Sequence, residues 1–164
     1  MQLRRPTLTD KAEILAMLAE FRQQQSAMDG FVGDVDFVYE KWLSQNAQTE
    51  QGENLPTGFV PAVQYVSFNE RGKAIGFLHL RLQLNAFLLE KGGHIGYSIR
   101  PTARGNGFAK QQLKLGLAEA AKQGISRVLI TCHQENCASR QTILANGGKL
   151  DDVRNGIERY WIEN

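Results

Sequence analysis

The chain is short of net charge, of cysteine and of long apolar runs, and each shortage removes a class of function. Nineteen basic residues stand against 17 acidic ones, a formal net charge of +2. That is too little to draw nucleic acid or a membrane by bulk attraction. There are two cysteines, Cys132 and Cys137. Their spacing is not C-x-x-C and no second cluster completes a zinc site, so no metal and no disulfide scaffold is expected. Two reduced thiols suit a cytoplasmic protein. The opening MQLRRPTLTD has basic residues with no apolar run behind them, unlike a signal peptide. No stretch is long and apolar enough to span a bilayer.

What is present suits a single domain over residues 1–164, with 42% hydrophobic and 22% charged residues. Residues 2–5 read as a short strand, and Asp10 with Glu13 fits a capping box. Ile14, Leu15, Leu18 and Phe21 then share a helical face. MDGFVGD reads as a loop. Asp34 can cap a second helix carrying Phe37, Val38, Lys41 and Trp42, and residues 47–58 read as a polar loop. Two strands, about 63–68 and 74–82, flank a turn at Gly72. Residues 85–91 read as a connection and 93–100 as a further strand. A helix over about 105–123 has Phe108, Ala109, Leu113, Gly116, Leu117, Ala120 and Ala121 as its buried face. A strand at 126–132, a short helix capped by Asn136 and two closing strands complete the chain. This order predicts an α/β arrangement around one mixed sheet, in which the hairpins make an all-parallel sheet untenable.

The segment GGHIGYSIRPTARGNGFAKQQL carries the chemistry. A strand ends at Arg100, a proline turn follows, and glycines open the long helix. Helix N-termini leave N–H groups unpaired and carry partial positive charge. Gly105 and Gly107 let anionic oxygens approach the backbone, with Arg104 and Lys110 adding full charge. A pyrophosphate fits such a cradle; a tight strand-to-helix turn without a ligand explains the glycines equally well. A Walker A loop would end Gly-Lys-Ser/Thr, whereas this one ends Gly-Phe-Ala. A dinucleotide fingerprint would place a third glycine where Lys110 stands.

The run Arg100-Pro101-Thr102-Ala103-Arg104-Gly105-Asn106-Gly107-Phe108-Ala109 resembles motif A of the GNAT N-acetyltransferases, of the form R-P-x-x-R-G-x-G-Y/F-A. The flanking LRLQLNAFL and GGHIGYSIRP resemble a branch of that family without an assigned substrate. ENCASRQTILANGG resembles motif B, and Tyr160 to Ile162 the usual closing strand. The resemblance implies an α+β domain with a mostly antiparallel sheet whose two central strands splay apart around acetyl-CoA. It implies that backbone near Ile99 pairs with the pantetheine arm and that amides from Arg104 through Gly105, Asn106, Gly107, Phe108 and Ala109 hold the pyrophosphate. Asn136 and Ser139 would line the other side. Thr102 departs from the Gln or Arg that the broader motif prefers.

Acetyl transfer needs a deprotonated amine, an N–H donor at the thioester oxygen and relief of the leaving thiolate. His94 is the expected base: an imidazole titrates in the right range, and the matching position in related enzymes often holds a Glu. An inert strand histidine remains the alternative, and His79 and His133 are weaker candidates. Ile143 stands where many relatives have a tyrosine acid, which leaves Tyr97 or an unassisted thiolate. In the acceptor wall, Asp29, Asp34 and Asp36 can attract a cationic amine or merely serve turns and caps. Arg81 and Asn85 match an R-x-x-x-N pattern of the similar branch, shaping the site or touching acceptor. Trp42 and Trp161 read as core or interface. The expected activity is acetyl transfer to a small-molecule or peptide primary amine in a ternary complex, with a homodimer compatible with the family's habits. The alternatives are a non-catalytic acyl-CoA-binding or sensor domain and, remotely, a nucleic-acid module built on Arg100, Arg104 and the lysine face, for which exposed aromatics are lacking.

Overall fold

A computed structural model of the chain describes residues 1–33 and 37–164. Strand β1 (Gln2–Arg4) and a 3₁₀ turn (Leu8–Asp10) lead into α1 (Lys11–Gln23) and α2 (Tyr39–Gln51). Then follow β2 (Ala62–Phe68), β3 (Ala74–Arg81), α3 (Ala86–Glu90) and β4 (Ile95–Ile99). A 3₁₀ turn (Pro101–Ala103) introduces α4 (Phe108–Lys122), and β5 (Arg127–His133), α5 (Cys137–Ala145), β6 (Lys149–Arg154) and β7 (Ile157–Glu163) close the chain.

The strands form two sheets, ordered β1-β2-β3-β4 and β5-β7-β6, and every ladder is antiparallel. The single mixed sheet expected from element order is therefore divided between β4 and β5, because these neighbours part company. They touch only at one end. His94 N donates to Leu129 O (2.7 Å), and Leu129 N donates to Nδ1 of His94 (2.9 Å). A Cβ on Gly93 would lie 2.4 Å from Leu129 O, so the junction is closed backbone on backbone.

Two apolar clusters hold the layers. One joins Tyr65, Leu78 and Ile95 of the first sheet to Leu113, Leu117 and Ala120 of α4 and to Ile130, Ile143 and Tyr160. The other packs Ile14, Met17, Leu18 and Phe21 of α1 and Trp42 of α2 on the opposite face, against Val66 and Phe77.

Local readings shift in instructive ways. The capping box is Thr7 with Asp10, one step before the expected Asp10–Glu13 pair, and Arg4 grips Asp10 at 2.6 and 2.7 Å. Met17, not Leu15, completes the buried stripe of α1. Helix α2 begins after Val38 and runs into the stretch expected as loop, ending at Gly52 in the left-handed region. Its polar face hides it from a periodicity count, since only Tyr39 and Trp42 are buried. The expected cap Asp34 lies outside the described residues. The 85–91 connection contains α3, with the Asn85 side chain accepting from Leu88 N at 2.9 Å. Helix α4 starts three residues later than expected, because residues 101–107 spend themselves on the 3₁₀ and glycine turns; Ala121 is exposed.

Candidate active site

Where β4 and β5 diverge they leave a cleft of about 690 Å³. Its walls are β4, the loop at Ser26–Gly30, the turn opening α4, the end of β5 and the first turns of α5. The register of β4 decides which backbone groups face it. Arg81 N donates to His94 O and Arg100 N to Ile75 O, both at 2.8 Å. Residues 96 and 98, with the His94 carbonyl and the Arg100 N–H, therefore spend their main-chain groups on β3, while Ile95, Tyr97 and Ile99 turn theirs to the open edge.

At the C-terminal end of β4 the glycine turn opens into the same cleft. Gly105 and Gly107 have φ of +78° and +76°, a region that side-chain-bearing residues rarely adopt, and a Cβ on either would meet nothing within 4 Å. The space over them is free. Gln111 N is the first donor to reach back, to Gly107 O at 3.2 Å. The amides of Phe108, Ala109 and Lys110 therefore have no acceptor inside the helix. Arg104, Gly105, Gly107, Phe108, Ala109 and Lys110 line the cleft; Asn106 does not, and its side-chain amide bonds Ala103 O and Arg104 O instead.

One ion pair and one set of hydrogen bonds to neutral acceptors shape this turn from a distance. Glu20 of α1 accepts from Arg100 Nε (2.5 Å) and from Thr102 N and Oγ1 (2.9 and 2.8 Å). Thr102, the departure from the broader motif, thus anchors the turn. Arg104 donates to Ile99 O (2.9 Å) and to Ser26 Oγ (2.6 Å), clasping β4 to the loop before Asp29. No local sequence signal points to Glu20, which lies some 80 residues from its partners.

On the far wall Asn136 caps α5, its side chain accepting from Ser139 N at 3.0 Å. Ser139 Oγ lies 3.0 Å from the hydroxyl of Tyr97, which crosses from β4. Burial pushes the Tyr97 phenol up to about 12. Ile99, Asn136, Ser139 and Tyr97 all line the cleft, and Cys132 joins them from β5. Ile143 is fully buried in the core and offers the cleft nothing.

The histidines fall differently from expectation. His94 is 7% exposed and is not among the cleft-lining residues. Burial, then the nearby Arg81 charge, holds its pKa down at about 4. Because Nδ1 accepts from Leu129, the neutral ring carries its hydrogen on Nε2, and neither nitrogen has a lone pair to spare. That geometry argues against the base expected there: the imidazole is used to join the two sheets. His79 is buried with Nδ1 unpartnered, and its pKa is lowered to about 3 by burial first and Arg81 second. His133 alone lines the cleft, on its exposed rim. Asp29 and Arg81 both face the cleft, whereas Asn85 is occupied in capping α3; Asp34 and Asp36 lie outside the described residues. Trp42 is core, with Nε1 donating to Val32 O.

A splayed pair of strands, an open strand edge and a glycine-lined helix start converge on one cleft, and comparison with known proteins gives the same grouping. The family model for the GNAT acetyltransferase domain matches residues 1–149. A search of curated proteins returned no match. Among solved structures, a ribosomal-protein-S5-alanine acetyltransferase from Vibrio fischeri aligns over 99% of this chain and 92% of its own, at TM-score 0.71 and 19% identity. A putative acetyltransferase from Salmonella typhimurium, solved with acetyl-CoA, aligns over 99% and 92%, at TM-score 0.63 and 16% identity. A spermidine N-acetyltransferase mutant from Vibrio cholerae aligns over 99% and 95%, at TM-score 0.64 and 14% identity. With motif, cleft and family model in agreement, the chain belongs to the GNAT acetyltransferase family.

Proposed function

We propose that residues 1–164 form a single acetyl-CoA-dependent N-acetyltransferase domain that moves an acetyl group to a primary amine by direct attack in a ternary complex. The observation that carries this is the convergence of the unpaired amides at the start of α4 and the open edge of β4 on one cleft. The amides of Gly105 and Gly107 through Ala109 hold the pyrophosphate, with Lys110 adding charge. Asn106, off the cleft wall, shapes the turn through its side-chain bonds to Ala103 O and Arg104 O. Tyr97 and Ile99 offer the pantetheine arm their outward backbone groups, opposite Asn136 and Ser139. Arg104 already occupies Ile99 O, which leaves the Ile99 N–H as the open donor of that residue. The bound co-substrate supplies an activated thioester carbonyl.

Tyr97 is the acid we assign in place of the tyrosine absent at position 143. Its raised pKa keeps the proton on Oη at neutral pH, and among the cleft-lining residues it is the one phenol. We assign His94 to joining the sheets. Asp29, exposed at the cleft mouth, draws the cationic amine and is placed to take its proton directly or through water. The two free cysteines suit the cytoplasm. Other relatives of this fold act on acceptors as different as ribosomal proteins and spermidine.

The sequestering of His94 favours a second reading, a non-catalytic acyl-CoA-binding domain of the same fold. A panel of primary amines followed by release of free thiol divides the two. Amine-dependent thiol release is expected; acetyl-CoA binding with no release for any amine would establish the sensor reading instead.

A further inference from the structure

The end of the cleft away from the glycine turn holds two opposite charges that pair with no other side chain among the described residues. Arg81 ends β3 and turns its guanidinium along the start of β4. Nη1 donates to Gly92 O (2.9 Å) and Gly93 O (3.1 Å). Nη2 lies 3.6 Å from where a Cβ on Gly96 would stand, and the same Cβ would be 3.2 Å from Gly30 N. Glycine at position 96 thus leaves room in front of the guanidinium and lets the Gly30 backbone rest on β4. Gly30 brings Asp29 to the same end of the cleft, where its carboxylate makes no hydrogen bond or ion pair among the described residues.

Arg81 is half-buried and makes no ion pair among the described residues. Burial lowers its pKa, and Asp29 is the single charge that offsets this. Among the described residues the other groups around it supply no anion: His79 and His94 are neutral, and Lys91 adds a further cation at the rim. A partly desolvated guanidinium without a carboxylate is costly, and its planar donors match a carboxylate in two-point fashion. Asp29 makes no ion pair with it, and its exposed carboxylate on the cleft wall is open to an ammonium or amine.

We propose that the acceptor carries a carboxylate close to its amine, so that it is a free amino acid, with Arg81 on the carboxylate and Asp29 on the amino group. This rests on the N-acetyltransferase reading and names its substrate class. A polyamine would present Arg81 and Lys91 with more positive charge, and the site is built against it.

The test compares L-amino acids with their amides and with the amines left by removing the carboxylate, alongside spermidine. Two readouts are taken: the melting temperature of the protein saturated with coenzyme A, and thiol release from acetyl-CoA. Amino acids are expected to raise the melting temperature and to exceed their amides and amines at least about tenfold in kcat/KM, the size of one charge-assisted contact. Arg81→Gln should raise KM and collapse that ratio, and Arg81→Lys should restore part of it. A purely structural Arg81 would lower every acceptor alike and leave the ratio standing, which would overturn the proposal. Asp29→Asn, on the exposed loop, should raise KM for amino acids and lower kcat without disturbing the fold. Equal or better use of amines lacking the carboxylate, or no response to any amino acid in either readout, would also overturn it. If acetyl-CoA itself fails to stabilise the protein, the N-acetyltransferase reading falls; if it stabilises and amino acids are not preferred, only the acceptor assignment falls.

Discussion

His94 ties one sheet to the other, its Nδ1 accepting from Leu129 N at 2.9 Å and its backbone N–H donating to Leu129 O at 2.7 Å. On the sequence it is an imidazole on a central strand. In the fold it is the hydrogen-bonded joint between two sheets. The pH consequences are opposite. A base would give the rate an inflection, whereas a buried neutral histidine makes stability depend on pH. Its folded pKa of about 4, like that of about 3 for His79, lies below the unfolded value near 6.5. Both contributions are therefore complete above about pH 6.5 and are lost as pH falls towards the folded values. Melting temperature is expected to drop over that interval, with a shallower drop in His94→Asn. The rate profile of His94→Asn on a working amine should keep the wild-type inflections; loss of an inflection would restore His94 as base. Tyr97→Phe should lower kcat by about 100-fold or more while acetyl-CoA binding stays within about threefold of wild type. Single-turnover kinetics with a binding titration would check both.

Among elements, the turn between β4 and α4 is the most dependent on its neighbours. Its glycines set the backbone locally, but its position is held by Glu20 of α1 through Arg100 and Thr102. Glu20→Ala leaves the buried Arg100 guanidinium unpaired, at a cost of about 3 kcal/mol. It should also weaken acetyl-CoA binding about tenfold by loosening the cradle. Chemical denaturation and calorimetric titration measure the two effects separately. Gly107→Glu is the complementary variant. It meets open space and carries only the strain of a positive φ, about 1–2 kcal/mol, yet puts a carboxylate where phosphate oxygens would sit. It should fold and fail to bind acetyl-CoA. Binding at wild-type strength would misplace the pyrophosphate. The hairpin, α4 and the closing strands were legible because each carries its own periodicity and turn residues. Helix α2 was legible around Trp42 but not in its second half, since most of its faces are polar and its buried side comes from two aromatics near its start, Tyr39 and Trp42.

For the whole molecule, the cleft lies where the two sheets part, so a ligand that fills it is held by both. Saturating acetyl-CoA at about 100 times its Kd is expected to stabilise the fold by about 2.7 kcal/mol. For a chain of this length that is a rise of about 5–10 °C in Tm. No shift at saturation would remove both the enzyme and the sensor readings. By itself the sequence determined the element order apart from α3, the glycine turn and the family, because strand pattern, positive-φ glycines and a helix start are written within a few neighbouring residues. Tertiary structure alone decided that His94 is bound to Leu129, that Glu20 holds the turn, and that Asp29 and Arg81 share one end of the cleft. Those are distances between segments remote in the chain. Packing of α1, the Gly30 loop and β5 against β4 sets them, and no local pattern encodes that packing.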